Sequence, residues 1–345
     1  MNWRETMFHA RRALSMALSF KLKLCLAAGT ALFMVETASA QQPLNISIAL
    51  ASSSLPSAGP RIAQEMGLFE KHGLNAKLTL METATVASMA LISGSVDFTV
   101  TGPSEIVLGQ ARGQKMLVVA NMYSGYSPAL VVSKALAEKA GLPLNASLED
   151  KLRAIEGAAI ASTSATSNFT LGLRCAAEIT GTKIRFTYMS QPAMVAALDS
   201  KVVDGFIASS PYYAAPITKG NGVLWISGPK REFPSRCSLV SAATLNTTLA
   251  FANAHKEEIL RVRAVFADLA RAVRERPDDV KAAIVKLFST VDGPTLDLLF
   301  QSEASGFSAQ PLTTQDLAKE IEFVRASGAQ VPGLDKLDPA AMLLP

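Results

Sequence analysis

Apolar and polar positions alternate from the outset of the chain proper. Leu44-Asn45-Ile46-Ser47-Ile48 has the period of a half-buried strand, so residues 44–50 are expected to form one. A serine-rich loop follows, and Ser57 is placed to cap a helix reaching Met66 and ended by Gly67. The pattern then predicts a strand over 76–81 and a polar loop, with Thr85 capping a helix over 86–92. A strand over 96–100, a helix over 105–111 and a strand over 116–120 complete this first region. Residues 128–133 read as a strand leading into a second region. Ser147 with the acidic turn Glu149-Asp150 starts a helix there. Strands are expected over 158–161, 183–189 and 203–208, with helices over 169–180 and 191–198 between them. Near residues 239–243 the chain is expected to return to the first region. The remainder is helical, and residues 255–274 place Ile259, Val262, Val265, Phe266, Leu269 and Val273 on one face. Further helices are expected over 277–288, 295–301 and 314–327. Strands alternating with helices imply mostly parallel sheets covered on both faces.

One stretch of this grammar is written twice. Gly67-Leu68-Phe69-Glu70-Lys71-His72-Gly73-Leu74 closes a helix and enters a strand, as does Ala90-Leu91-Ile92-Ser93-Gly94-Ser95-Val96-Asp97-Phe98. A hundred residues on, Ala197-Leu198-Asp199-Ser200-Lys201-Val202-Val203-Asp204-Gly205-Phe206 repeats the second sentence. The repetition predicts two similar lobes with a cleft between them. Asp97 and Asp204 occupy matching places ahead of strands, so they are expected to hold turns rather than ligand.

Charge and leader change the picture modestly. Arg11, Arg12, Lys21 and Lys23 precede a 12-residue apolar run over 24–35, and Ala38-Ser39-Ala40 precedes Gln41. This is the layout of a cleaved secretory signal over 1–40, with an apolar run too short to span a bilayer core of ~30 Å. Removing those residues lowers the net charge from +4 to about +1 and leaves no basic tract for nucleic acid. Such a signal is expected to place the mature chain in the periplasm. Its two remaining cysteines, Cys175 and Cys237, are either a disulfide or two buried small apolar residues. His72 and His255 have no ligand-like spacing, so neither a metal nor any other cofactor is expected. No P-loop is present, so no nucleotide site is expected in this chain.

Candidate chemistry gathers in the loops after the strands, where open α/β sheets bind ligands. These carry Ser52, Ser53 and Ser54; Thr83 and Thr85; Thr101 and Gly102; Tyr123 and Ser124; Ser164, Thr166 and Ser167; Gln191; and Ser210 with Tyr212. Each hydroxyl alone is an ordinary helix cap. Together, beside helix N-termini with unpaired N–H groups, they form a set suited to a small oxyanion without a buried lysine. Arg61, Arg174 and Arg185 either reach an anion or are solvated surface charges. Tyr126 and Trp225 either stack on a flat ligand or pack.

The Gly67-Leu68-Phe69 segment, the 90–98 segment, Ser209-Ser210-Pro211 and the leader together resemble the extracytoplasmic substrate-binding proteins of ABC transporters. The resemblance covers roughly residues 44–325. It points to the group of aliphatic-sulfonate, taurine and nitrate binders and thiamine-precursor-like (NMT1/THI5-like) proteins. It implies an α/β, two-lobe type II periplasmic-binding fold, each lobe a mostly parallel sheet flanked by helices, joined by two hinge crossovers. Lobe one would be 41–127 with 240–345, and lobe two 128–239. The expected activity is non-enzymatic: a monomer holding a small organic, anionic solute of sulfonate or carboxylate type. It would deliver that solute to an inner-membrane permease driven by a cytoplasmic ATPase. The alternatives are an enzyme on the same fold, such as a lyase or desulfinase, and a sensor partner of a receptor kinase. The cysteine-rich motif of the related synthesis enzymes is absent.

Overall fold

The computed structural model describes residues 42–81, 83–307 and 310–344. The expected leader over 1–40 lies outside the described residues. The first region contributes strands β1 (Leu44–Leu50), β2 (Leu74–Leu80), β3 (Phe98–Thr101) and β4 (Met116–Ser124). Between them lie helices α1 (Gly59–Glu65), α2 (Leu68–Lys71), α3 (Ala84–Ile92) and α4 (Pro103–Ala111). The second region contributes β5 (Ala129–Ser133), α5 (Lys134–Ala140), α6 (Leu148–Arg153), β6 (Ala159–Ser162), α7 (Asn168–Glu178) and β7 (Arg185–Tyr188). It continues through α8 (Gln191–Asp199), β8 (Gly205–Ala208), α9 (Ala214–Thr218) and β9 (Gly222–Ser227). The chain then enters β10 (Ser241–Thr248) and ends in α10 (Leu249–Ala254), α11 (Lys256–Glu275), α12 (Pro277–Leu287), α13 (Gly293–Glu303) and α14 (Thr314–Ala326).

These strands form two five-stranded sheets with one topology. The first runs β2-β1-β3-β10-β4 and the second β7-β6-β8-β5-β9. In each sheet the first three strands of that order are parallel and the fourth is antiparallel to both neighbours. The fourth strand is in each case the one that has just crossed from the other sheet. The two crossing segments lie side by side: Gly125 N–H donates to Val240 O at 2.8 Å, and Gly228 N–H donates to Pro128 O at 2.9 Å. A Cβ on Gly228 would stand 2.4 Å from Pro128 O and 2.7 Å from Tyr126 O, so only glycine fits this close approach.

Most expected elements form, with boundary shifts. The cap expected at Ser57 is not made: Ser57 ends a short 3-10 turn and Ala58 is the N-cap of α1. Thr85 does not cap either; it lies inside α3, whose cap is Thr83 accepting from Val86 N–H at 3.3 Å. Gly67 adopts φ +66°, which lets the chain break between α1 and α2. β9 was not foreseen, because its Gly222-Val223-Leu224-Trp225 run carries no alternation. The amphipathic face of α11 is buried as expected at Ile259, Val262, Val265, Phe266 and Leu269. Phe266 meets Phe69 edge to face at 6.1 Å. α14 lies against both α4 and α7 and so touches elements flanking both sheets. No helix among the described residues is long and apolar enough to cross a membrane.

Candidate functional site

The carboxyl-terminal ends of the strands in both sheets face one another. The loops after β1 and β3 of the first sheet and after β6, β7 and β8 of the second enclose a cavity of about 40 Å³. Ser52, Ser54, Thr101, Gly102, Ser167 and Gln191, all expected from sequence, line it. Hydroxyls and amides cross the gap directly. Gln191 Nε2 donates to Ser52 Oγ at 2.6 Å, while its Oε1 accepts from Ser209 N–H at 2.8 Å. Leu55 N–H donates to Ser210 O at 2.9 Å, and Ser53 and Tyr212 share a short hydroxyl pair.

The remaining expected residues distribute around this cavity. Thr166 Oγ1 donates across the gap to Glu105 Oε1 at 3.0 Å, with Ser164 behind it at 3.5 Å. Ser167 caps α7 by accepting from Thr170 N–H at 3.3 Å. Ser210 Oγ donates to Glu303 Oε2 at 2.7 Å, outside the cavity. Tyr123 is buried and also donates to Glu303, at 3.1 Å. Ser124 accepts from Asn121 Nδ2 at 2.9 Å on β4. Tyr123, Ser124, Thr83 and the exposed Thr85 are not among the residues lining the cavity.

Two carboxyls escaped the sequence reading. Glu105 stands on the first turn of α4, lines the cavity and is only 6 % exposed. Burial pushes its pKa up to about 7, against the pull of Thr166 and of Arg112 at the far end of the helix. A signal was present: Glu105 is the only charged residue between Asp97 and Arg112. Glu303, 3 % exposed, receives Ser210, Tyr123 and, at 2.7 Å, Tyr213. Burial raises its pKa as well.

The candidate cations lie elsewhere. Arg61 donates to Leu287 O and sits over Phe288, Arg174 sits over Phe186, and Arg185 donates to Gly157 O. Tyr126 and Trp225 are buried packing residues. Among the described lining residues Glu105 is the one ionisable group. The anionic solute expected from sequence therefore finds helix N-termini here but no basic side chain. Cys175 and Cys237 are joined in a disulfide linking α7 to the second crossover. No cluster of three or more His, Cys, Asp or Glu among the described residues could hold a metal.

Residues 56–233, just over half of the chain, match the NMT1-like family. The chain belongs to this family. A comparison with curated protein sequences returns no match. Among solved structures, a protein from Bordetella bronchiseptica RB50 superposes on this NMT1-like chain with a TM-score of 0.75 at 18% identity, covering 88% of this chain and 95% of that one. The alkanesulfonate-binding protein SsuA from Xanthomonas axonopodis pv. citri, bound to MOPS, gives 0.71 at 16% identity, covering 88% and 99%. The periplasmic nitrate-binding protein NrtA from Synechocystis PCC 6803 gives 0.63 at 12% identity, covering 87% of each. Identities this low establish the fold, which is that of the periplasmic binding proteins.

Proposed function

We propose that this NMT1-like protein is the extracytoplasmic solute-binding component of an ABC importer. It would hold a small organic solute between its two lobes in the periplasm and present it to an inner-membrane permease driven by a cytoplasmic ATPase. The observation that carries this reading is the convergence of strand-end loops from two sheets of one topology onto a single cavity, with both connections between the sheets running side by side. Paired crossovers are suited to a hinge, and a ligand that touches both rims favours the closed arrangement because only there does it gain both sets of contacts. The cavity of about 40 Å³ is far below the 300 Å³ or more of an ordinary small-molecule site. The solute therefore displaces direct bonds such as Gln191 to Ser52.

The mature chain's cysteines and histidines, the nucleophile and base candidates of the enzyme alternative, are engaged away from the cavity, which favours transport. Both cysteines are consumed in the disulfide, His72 bonds Asp268 at 3.0 Å, and His255 bonds Glu258 at 2.9 Å. Thermal-shift and calorimetric titration with sulfonates, carboxylates, nitrate, amines, pyrimidines and flavins tests the proposal. A true ligand at a hundred times its Kd adds about 2.7 kcal/mol of stability. Silence across the whole set rejects the carrier role.

A further inference from the structure

Resting on the solute-carrier reading, the geometry points to a solute class: we propose that Glu105 selects a small nitrogenous solute that presents an N–H donor to its carboxyl.

Four observations lead there. Glu105 is the single ionisable side chain among the described residues lining the cavity, and no lysine or arginine shares that lining. An oxyanion placed beside it would meet a buried carboxyl with no cation to offset the repulsion. Secondly, one oxygen is unclaimed: Oε1 accepts from Thr166, whereas no described group donates to Oε2. Oε2 is therefore the carboxyl oxygen left for a donor on the solute.

Thirdly, Thr166 comes from the second lobe and Glu105 from the first. A donor on the solute thus acts at the point where closure brings the lobes together, and strengthens the closed arrangement directly. Fourthly, the other walls suit a flat or partly apolar nitrogenous group. Phe169 supplies an apolar surface, and Ser52, Ser54 and Gln191 supply neutral donors and acceptors from both sides. The raised pKa of Glu105 fits the same picture, because a carboxyl that titrates near neutrality can meet either a cationic amidine or a neutral amino-heterocycle.

The test uses the purified protein and its Glu105→Gln variant, with two sets of probes followed by thermal shift and calorimetry. Benzamidine, cytosine and cadaverine carry N–H donors; methanesulfonate, nitrate and acetate do not. The Gln side chain keeps the shape and loses the charge. At least one nitrogenous probe is expected to bind the native protein, and Glu105→Gln to weaken it about tenfold or more, since a charged hydrogen bond is lost. A Glu320→Gln variant, which removes a buried carboxyl away from the cavity, is expected to retain binding and shows that the loss belongs to Glu105. Tighter binding of the donor-free anions, or nitrogenous binding unchanged within twofold in Glu105→Gln, overturns the assignment and leaves the carrier role intact. Binding by neither set removes the carrier role and this inference with it.

Discussion

Glu303 is a residue on which the two lobes meet outside the cavity. Its carboxyl gathers Tyr123 from the first sheet and Ser210 and Tyr213 from the loop after β8 of the second. Each phenol is pushed well above its ordinary pKa, chiefly by burial and then by the neighbouring carboxyl, so both remain O–H donors at any physiological pH. Removing one donor leaves a buried acceptor short of a partner, at a cost of roughly 1–3 kcal/mol. Tyr213→Phe is therefore expected to lower the urea midpoint without altering the slope, and an unchanged midpoint would show the node to be ornamental. The paired aspartates act at the same scale. Asp97 Oδ2 accepts from Ser47 N–H and Ser47 Oγ, both at 2.7 Å, and Asp204 Oδ2 accepts from Ala159 N–H at 2.8 Å. Each ties the segment entering one strand to its parallel neighbour, β3 to β1 and β8 to β6, a structural contact. The cavity-lining hydroxyls were legible because loops after strands announce themselves. Glu105 and Glu303 were not, since a lone acid on a helix reads as solvent-facing until tertiary packing buries it.

At the scale of elements, the duplicated strand–loop–helix grammar was visible because apolar period and turn residues are local properties. Asn45 and Ser47 set the period of β1 and Gly67 marks a break, without reference to the rest of the chain. The place of β5 and β10 was less visible. Ala129–Ser133 reads as a strand, whereas Ser241–Thr248 was expected only as part of the return to the first region, and nothing within either says that it inserts antiparallel between strands of a sheet built by other segments. That information resides in the pairing partners. The cysteines illustrate the same limit, for their spacing of 62 residues is compatible with either state until α7 and the turn at Ser235–Cys237 are brought together. The bond pins the second crossover to the helix whose N-terminus borders the cavity. Closing a loop of this length restrains the unfolded chain by about 4 kcal/mol in the chain-entropy treatment. Denaturation with and without reductant is expected to differ by a value of that order. Cys175→Ser with Cys237→Ser should reproduce the reduced curve. Coincident curves would mean that the link contributes nothing to stability.

For the molecule as a whole, three buried acids set the response to pH. Burial raises Glu105 to about 7 and Glu320, 2 % exposed on α14, to about 8, and it raises Glu303 as well. In the unfolded chain all three titrate near 4.5. Below that pH they are neutral in both states and carry no penalty. As pH climbs above 4.5 the unfolded chain ionises, while the fold holds the proton until pH reaches about 7 at Glu105 and about 8 at Glu320. The folded state binds more protons throughout this window, so stability falls as pH rises and levels off above it. Surface acids act in the opposite sense. Asp268 is held low by Lys71 and Asp199 by Asn221 and Lys219, and their contribution is lost as pH drops below about 4. The two trends place maximal stability in mild acid. The Tm at pH 5.5 is expected to exceed that at pH 8.5, by an amount reflecting a few kcal/mol in total at roughly 1.4 kcal/mol for each unit of raised pKa. Glu320→Gln lies away from the cavity and isolates one contributor, so it should flatten the decline between pH 6 and 8.5 while leaving solute binding unchanged. A Tm that holds level or climbs toward pH 8.5 in the native protein would mean that these carboxyls reach water in solution, and that the closed contact between the lobes at Glu105 and Glu303 is not the resting arrangement.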